Sequence, residues 1–150
     1  PDQALNSNTY PKGAWVLHML RGELGDEDFF AALRTYVDQC RGSSVITEDF
    51  VRIIERETKS ELSWFFKQWL DRVGCPELKI ETTDTAITIK QVQAGIPYKF
   101  WLRLRWRNDS GKLIEKRVRV DAATMRLPIE STYNDLQIDP DTELLFRLAK

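Results

Sequence analysis

The residues whose types and spacing could do chemistry stand at the start of the chain. Tyr10-Pro11-Lys12-Gly13-Ala14 opens an apolar run, Trp15-Val16-Leu17-His18-Met19-Leu20, that reads as a helix. A tyrosine hydroxyl is protonated at neutral pH and sits on a rigid ring, so it donates a hydrogen bond from a fixed place. Such a donor suits the oxyanion that forms on a carbonyl under nucleophilic attack. The expected setting is a loop just before the helix, anchored by Pro11 and by the buried helix behind it. Taken alone, the run reads more simply as a surface or packing tyrosine at a helix start.

Other candidate chemistry is sparse. A catalytic metal centre needs about three protein ligands, usually two histidines and a carboxylate, and the chain has one histidine, His18. Arg21 stands one helical turn further on, a poor companion for a metal ion, so His18 reads as a packed or hydrogen-bonded side chain. No metal-ligating and no cofactor-binding residue is assigned. Cys40 and Cys75 lack metal-ligand spacing and read as partly buried thiols. Asp26-Glu27-Asp28 and Glu48-Asp49 read as helix-start charges, favourable to the helix dipole.

A net charge of −1 over 150 residues gives no general pull toward nucleic acid or membrane. No stretch approaches the roughly 20 apolar residues that span a bilayer. No signal segment is visible in the polar first ten residues.

The elements that position these residues change character near Pro76. Before it the period is helical. Gly25 stops the first helix, and Phe29, Leu33, Tyr36, Val37 and Cys40 form the stripe of a second that ends at Gly42. Thr47 is the expected cap of a third helix through Phe50, Val51 and Ile54. Ser60 is the expected cap of a fourth, with the stripe Leu62, Phe65, Phe66, Trp69 and Leu70 and a stop at Gly74 and Pro76.

After Pro76 the period is two. Strands are expected at Leu78 to Thr82, Ile87 to Ile89, Tyr98 to Arg107, Leu113 to Val120, Met125 to Glu130, Leu136 to Ile138 and Glu143 to Leu148. Asn108-Asp109-Ser110-Gly111 is the turn of the longest hairpin. The fold class is therefore α+β: about four helices followed by an antiparallel sandwich of immunoglobulin-like type. Residues 1–75 carry 9 basic and 12 acidic side chains and residues 76–150 carry 13 and 11.

One strand face offers a competing function. Lys99, Arg103, Arg105 and Arg107 share it with Trp101, and Arg117 and Arg119 fall on the neighbouring strand. Basic side chains interleaved with an aromatic suit a binding or scaffold module for an acidic partner, or a single-stranded nucleic-acid platform. One tryptophan is thin for stacking, and Glu115 sits in the same row, so no nucleic-acid partner is expected.

Tyr10-x-Lys12-Gly13-Ala14, Val16-Leu17-His18-Met19-Leu20-Arg21, Phe66-x-Gln68-Trp69 and Gly74-x-Pro76, in that order, resemble the aminopeptidase N family of zinc metallopeptidases. Ile138-Asp139-Pro140-Asp141-x-Glu143-Leu144-Leu145 resembles the final strand of that family's small β-domain. The resemblance implies that 1–75 is the helical end of a thermolysin-like catalytic domain and 76–150 the β-sandwich that follows it. It implies a catalytic role for Tyr10, a peptide substrate, and zinc in the intact enzyme. The zinc ligands, the general-base glutamate and the amine-binding segment are missing from these residues and would belong to a catalytic domain upstream of Pro1. The C-terminal helical domain common in the family is missing too. On this reading the chain is a fragment, inactive by itself.

Overall fold

Apolar residues at helical spacing make the first half of the chain four helices, in a computed structural model that describes residues 9–130 and 133–149. The expected ranges 1–75 and 76–150 also take in residues 1–8, 131, 132 and 150, which lie outside the described residues. The chain forms two compact units, one ending at Val73 and the other starting at Gly74.

The helical unit contains α1 (Thr9–Leu24), α2 (Asp26–Cys40), α3 (Thr47–Thr58) and α4 (Ser63–Phe66), the last passing into a π turn, Lys67–Asp71. A single residue joins α1 to α2. Gly25 has φ +83°, a left-handed value that a side chain would strain. Its N–H donates to the Arg21 carbonyl (2.8 Å), and its own carbonyl accepts from the Phe29 N–H (3.1 Å). Arg21 closes the corner by donating to both carboxylate oxygens of Asp26, each at 2.7 Å.

The core of this unit is Val16, Met19 and Leu20 of α1, Phe29 and Ala32 of α2, Ile53 and Ile54 of α3, and Leu62, Phe65, Phe66 and Trp69. Aromatic edges connect the helices: Tyr36 meets Phe50 at 5.0 Å and 90°, and Phe50 meets Phe66 at 6.1 Å and 88°. Of the second stripe Phe29 is buried, Leu33, Tyr36 and Cys40 are partly buried, and Val37 is half exposed.

Two expected caps are replaced. Ile46, not Thr47, holds the cap position of α3, and its N–H donates to the Asp49 carboxylate (3.2 Å), one half of a capping box. Leu62, not Ser60, precedes α4. Its N–H donates to the Glu55 carboxylate (2.7 Å), while the Ser60 hydroxyl donates to the Thr58 carbonyl. In both places a nearby carboxylate satisfies the orphan N–H.

The second unit is an immunoglobulin-like sandwich of two sheets. Its strands are β1 (Glu77–Thr83), β2 (Ala86–Gln91), β3 (Phe100–Arg107), β4 (Leu113–Val120), β5 (Thr124–Pro128), β6 (Asn134–Ile138) and β7 (Arg147–Leu148). The sheets run β5-β2-β1-β7 and β4-β3-β6. Neighbours are antiparallel except β1 and β7, which are parallel. Leu78, Ile87 and Ile89 face Phe100, Leu102, Leu104, Trp106, Val118 and Val120 across the core. The expected final strand shrinks to two residues because the backbone N–H groups of Glu143 and Leu144 donate instead to the Asp139 carboxylate, at 2.9 and 3.0 Å.

Tyr98, expected to open the long strand, lies outside it because a side chain takes its backbone groups. Gln91 is buried at the end of β2. Its carbonyl accepts from the Tyr98 N–H (2.7 Å), and its amide donates to the carbonyls of Tyr98 (2.8 Å) and Ala122 (3.0 Å). Replacing Gln91 by Leu leaves a buried N–H and two carbonyls unmet, at about 1–3 kcal/mol for each stranded group. Urea denaturation of Gln91→Leu should show a loss of at least that size, with Val92→Ala, an exposed neighbour, close to wild type. Equal midpoints for Gln91→Leu and wild type would refute this account.

Candidate functional site

Tyr10 lies in the first described turn of α1, not on a loop before it, and its side chain is 76% exposed. Pro11, Ala14, Trp15 and His18 follow at helical spacing and line a shallow groove of about 280 Å³ on the same helix. Pro11 is tolerated because the first N–H groups of a helix have no intrahelical partner. The Lys12 ammonium donates to the Leu70 carbonyl (3.4 Å) in the π turn. A Cβ on Gly13 would meet nothing within 4 Å, so no close contact inside this unit calls for glycine there. Met19 is buried with Val16 and Leu20.

His18, read as a packed or hydrogen-bonded side chain, is exposed on α1 with its ring edge-on to Trp15 at 5.8 Å and 78°. No three His, Cys, Asp or Glu side chains come together for a metal ion among the described residues. The residues present therefore do not fit a zinc centre. The acidic runs behave as helix-start charges: Asp26, Glu27 and Asp28 fill the first turn of α2, and Glu48 and Asp49 that of α3. Burial pushes the Cys75 thiol up, away from the thiolate that reactivity needs.

The sheet face splits into two parts. Register places Trp101 opposite Arg119, Arg103 opposite Arg117, and Arg105 opposite Glu115. Arg103 donates to Glu115 (2.6 Å) and, through two nitrogens, to Glu143 (3.1 and 2.7 Å). Arg105 donates to Glu115 (2.9 Å) and to Asp141 (2.9 Å). Trp101 lies beneath the guanidiniums of Arg117 (4.8 Å) and Arg119 (5.3 Å). Half of the expected basic face is thus an internal ion-pair network. The carboxylates of Asp141 and Glu143 come from a loop some 36 to 40 residues away, which spacing within the strands could not reveal.

That loop is organised by Asp139, which is buried, has φ +50°, and accepts the two backbone N–H groups already described. Burial raises the Asp139 carboxyl above the ordinary aspartate value, against those two hydrogen bonds. The signal for it was Asp139-Pro140 followed by alternating acids.

With this geometry stated, the comparisons with known proteins bear on it. Residues 1–69 match the peptidase family M1 domain. Aminopeptidase N of Lactococcus lactis subsp. lactis is 27% identical over 133 residues, 89% of this chain and 13% of that protein. Aminopeptidase N of Escherichia coli is 29% identical over 109 residues, 65% of this chain and 12% of that protein. Aminopeptidase N of Haemophilus influenzae is 37% identical over 71 residues, 47% of this chain and 8% of that protein. Among solved structures, Legionella pneumophila aminopeptidase A in complex with aspartic acid matches with a TM-score of 0.78 and 21% identity. It covers 97% of this chain and 18% of that one, a likeness of fold.

The matched domain makes residues 1–69 similar to the M1 metallopeptidases, and the helices and sandwich share the fold of the Legionella enzyme. Over 8–13% of their length, the chain is similar to these members of the aminopeptidase N family. That family is zinc-dependent in general. No helix among the described residues is long and apolar enough to cross a membrane.

The ion-pair network has a pH signature. Hydrogen bonds from Arg105 and then Arg103 hold the Glu115 carboxyl below its ordinary value of 4.5. A depressed folded-state value contributes stability that is present above the unfolded value and is lost as pH falls through the folded one. Asp139 has the opposite sign: its raised value makes folding less favourable as pH climbs through it. The stability difference between wild type and Glu115→Gln should therefore be larger at pH 7 than near pH 3, read by urea denaturation at each pH. A difference independent of pH would remove Glu115 from the acid response.

Proposed function

We propose that this chain works as part of a zinc-dependent aminopeptidase that removes N-terminal residues from peptides. Residues 1–75 form the helical end of its thermolysin-like catalytic domain and residues 76–150 its small β-sandwich. The observation that carries the reading is the match of residues 1–69 to the M1 domain, a stretch that contains the Tyr10 run. Zinc, as Lewis acid in such enzymes, would be held by an upstream catalytic domain, since the residues here do not fit it.

The part assigned to this chain is the Tyr10 hydroxyl. It projects from the head of α1 on an exposed ring, able to reach a substrate carbonyl bound against it. As that carbonyl is attacked, negative charge gathers on its oxygen, and the Tyr10 O–H donates a hydrogen bond to it. The hydroxyl keeps its proton throughout, so its work is electrostatic and needs placement rather than acidity. One such donor is worth about 3–4 kcal/mol of transition-state stabilisation.

Replacing Tyr10 by Phe in the polypeptide that carries the zinc motif should lower kcat by about 10²–10³-fold. Bound zinc, measured by elemental analysis, and the thermal unfolding midpoint should stay as in wild type. The 150-residue chain alone, with zinc added, should release no chromophore from aminoacyl-p-nitroanilides. Unchanged turnover in Tyr10→Phe would make the tyrosine a bystander, and activity of the isolated chain would overturn its assignment as an incomplete enzyme.

A further inference from the structure

We propose that Lys12 is a positioning residue: its ammonium caps the carbonyl end of the α4–π segment at Leu70 and so fixes the turn of α1 that carries Tyr10. The importance of that turn rests on the reading of Tyr10 as oxyanion donor. The tie itself rests on geometry.

A lysine in the first turn of a helix is misplaced with respect to that helix. The N-terminal end of α1 carries the positive pole of its dipole, so a cation there is repelled. No acidic side chain stands in the first turn of α1 to offset it. The same cation is well placed with respect to a second helix. Leu70 lies one residue before the end of the π turn, and Arg72 beyond it is extended, with φ −86° and ψ 141°. The last carbonyls of a helix have no intrahelical donor and form its negative pole. Lys12 Nζ sits 3.4 Å from the Leu70 carbonyl oxygen, across 58 residues of sequence. A long aliphatic stem lets the ammonium reach there while the backbone stays in α1.

The exposed ring of Tyr10 has little packing of its own to locate it. Its place in space is set by the backbone of the turn it shares with Lys12. Pro11, between them, has its φ locked near −65° and passes little play from one to the other. The π turn gains a purpose here. Insertion of a residue into the helical ladder redirects the carbonyls at its end, and such turns recur at functional sites.

The test reads both ends of the tie in the 150-residue chain, without turnover. Backbone carbonyl ¹³C signals report Leu70, amide hydrogen exchange reports residues 12–16, and 3-fluorotyrosine reports Tyr10, its ¹⁹F signal identified by its loss in Tyr10→Phe. Lys12→Met, which keeps the stem and removes the charge, should move the Leu70 carbonyl and Tyr10 signals. Loss of the tie should outweigh the relief of the charge–dipole repulsion, so exchange in the first turn should speed by about two- to fivefold, the size of one charge effect at a helix end. The Tyr36 and Tyr98 signals should hold, and Lys12→Arg should keep Leu70 and Tyr10 near wild type. A Leu70 signal unmoved in Lys12→Met would overturn the tie, as would Lys12→Arg behaving like Lys12→Met. Because no turnover enters, a silent Tyr10→Phe in the activity assay would defeat the oxyanion reading and leave the tie standing.

Discussion

The helical unit depends on the one-residue joint at Gly25. Two helices of 16 and 15 residues meet there with no loop to absorb error. The direction of α1 is therefore decided by a single pair of dihedral angles and by the Arg21–Asp26 clamp across the corner. Tyr10 stands 14 residues from the end of α1, a lever of about 21 Å at 1.5 Å per residue. A few degrees of play at the corner would displace its hydroxyl by an ångström or more. Burial of Val16, Met19 and Leu20 along the lever removes that play, since a swing would open voids against α2 and α3. The precision available to an exposed tyrosine is thus made by packing well behind it.

The sandwich solves a different problem, the presence of polar groups at the edges of a dry core. Gln91 serves backbone groups where the chain passes from the first sheet to the second. Asp139 does the same where β6 ends. In each case a side chain substitutes for a strand partner, so the ladder stops at a defined residue instead of fraying. Asp139 also delivers Asp141 and Glu143 to Arg103 and Arg105, which pairs those two cations within the sheet face. Surface ion pairs of this kind add little stability individually. Their effect here is to hold the loop after β6 against the face of β3.

Much of this was legible in the sequence because it follows from periodicity. The helices, the hairpin at Asn108 to Gly111 and the inward set Phe100, Leu102, Leu104 and Trp106 are read from spacing alone. Tyr10 was legible as a candidate only through the ordered run around it, since an exposed tyrosine has no periodic signature. What spacing misses is pairing between distant residues. Thr47 and Ser60 have cap chemistry, yet each helix starts one or two residues away, where the Asp49 and Glu55 carboxylates accept the N–H groups of Ile46 and Leu62. Met19 looks no different from Leu17 in composition, and only the angle of the helix puts one inside and the other out. The π turn at Lys67–Asp71, with Gln68 and Trp69 buried in it, has no signal in the spacing.

The short β7 strand has a consequence for how the sandwich comes into being. β1 is the first strand of its unit, and the strand beside it is supplied by Arg147 and Leu148, with Arg147 paired to Glu77 across 70 residues. The Arg147 N–H donates to Pro76 and the Ala149 N–H to Leu78. One edge of β1 therefore stays unpaired until nearly the whole unit has left the ribosome. Contacts of such wide sequence separation close late and slowly. During synthesis the nascent sandwich presents an open strand edge of the kind that other chains can pair with. Its last few residues act as a late-arriving lock, and the vulnerable interval is set by the pace of translation.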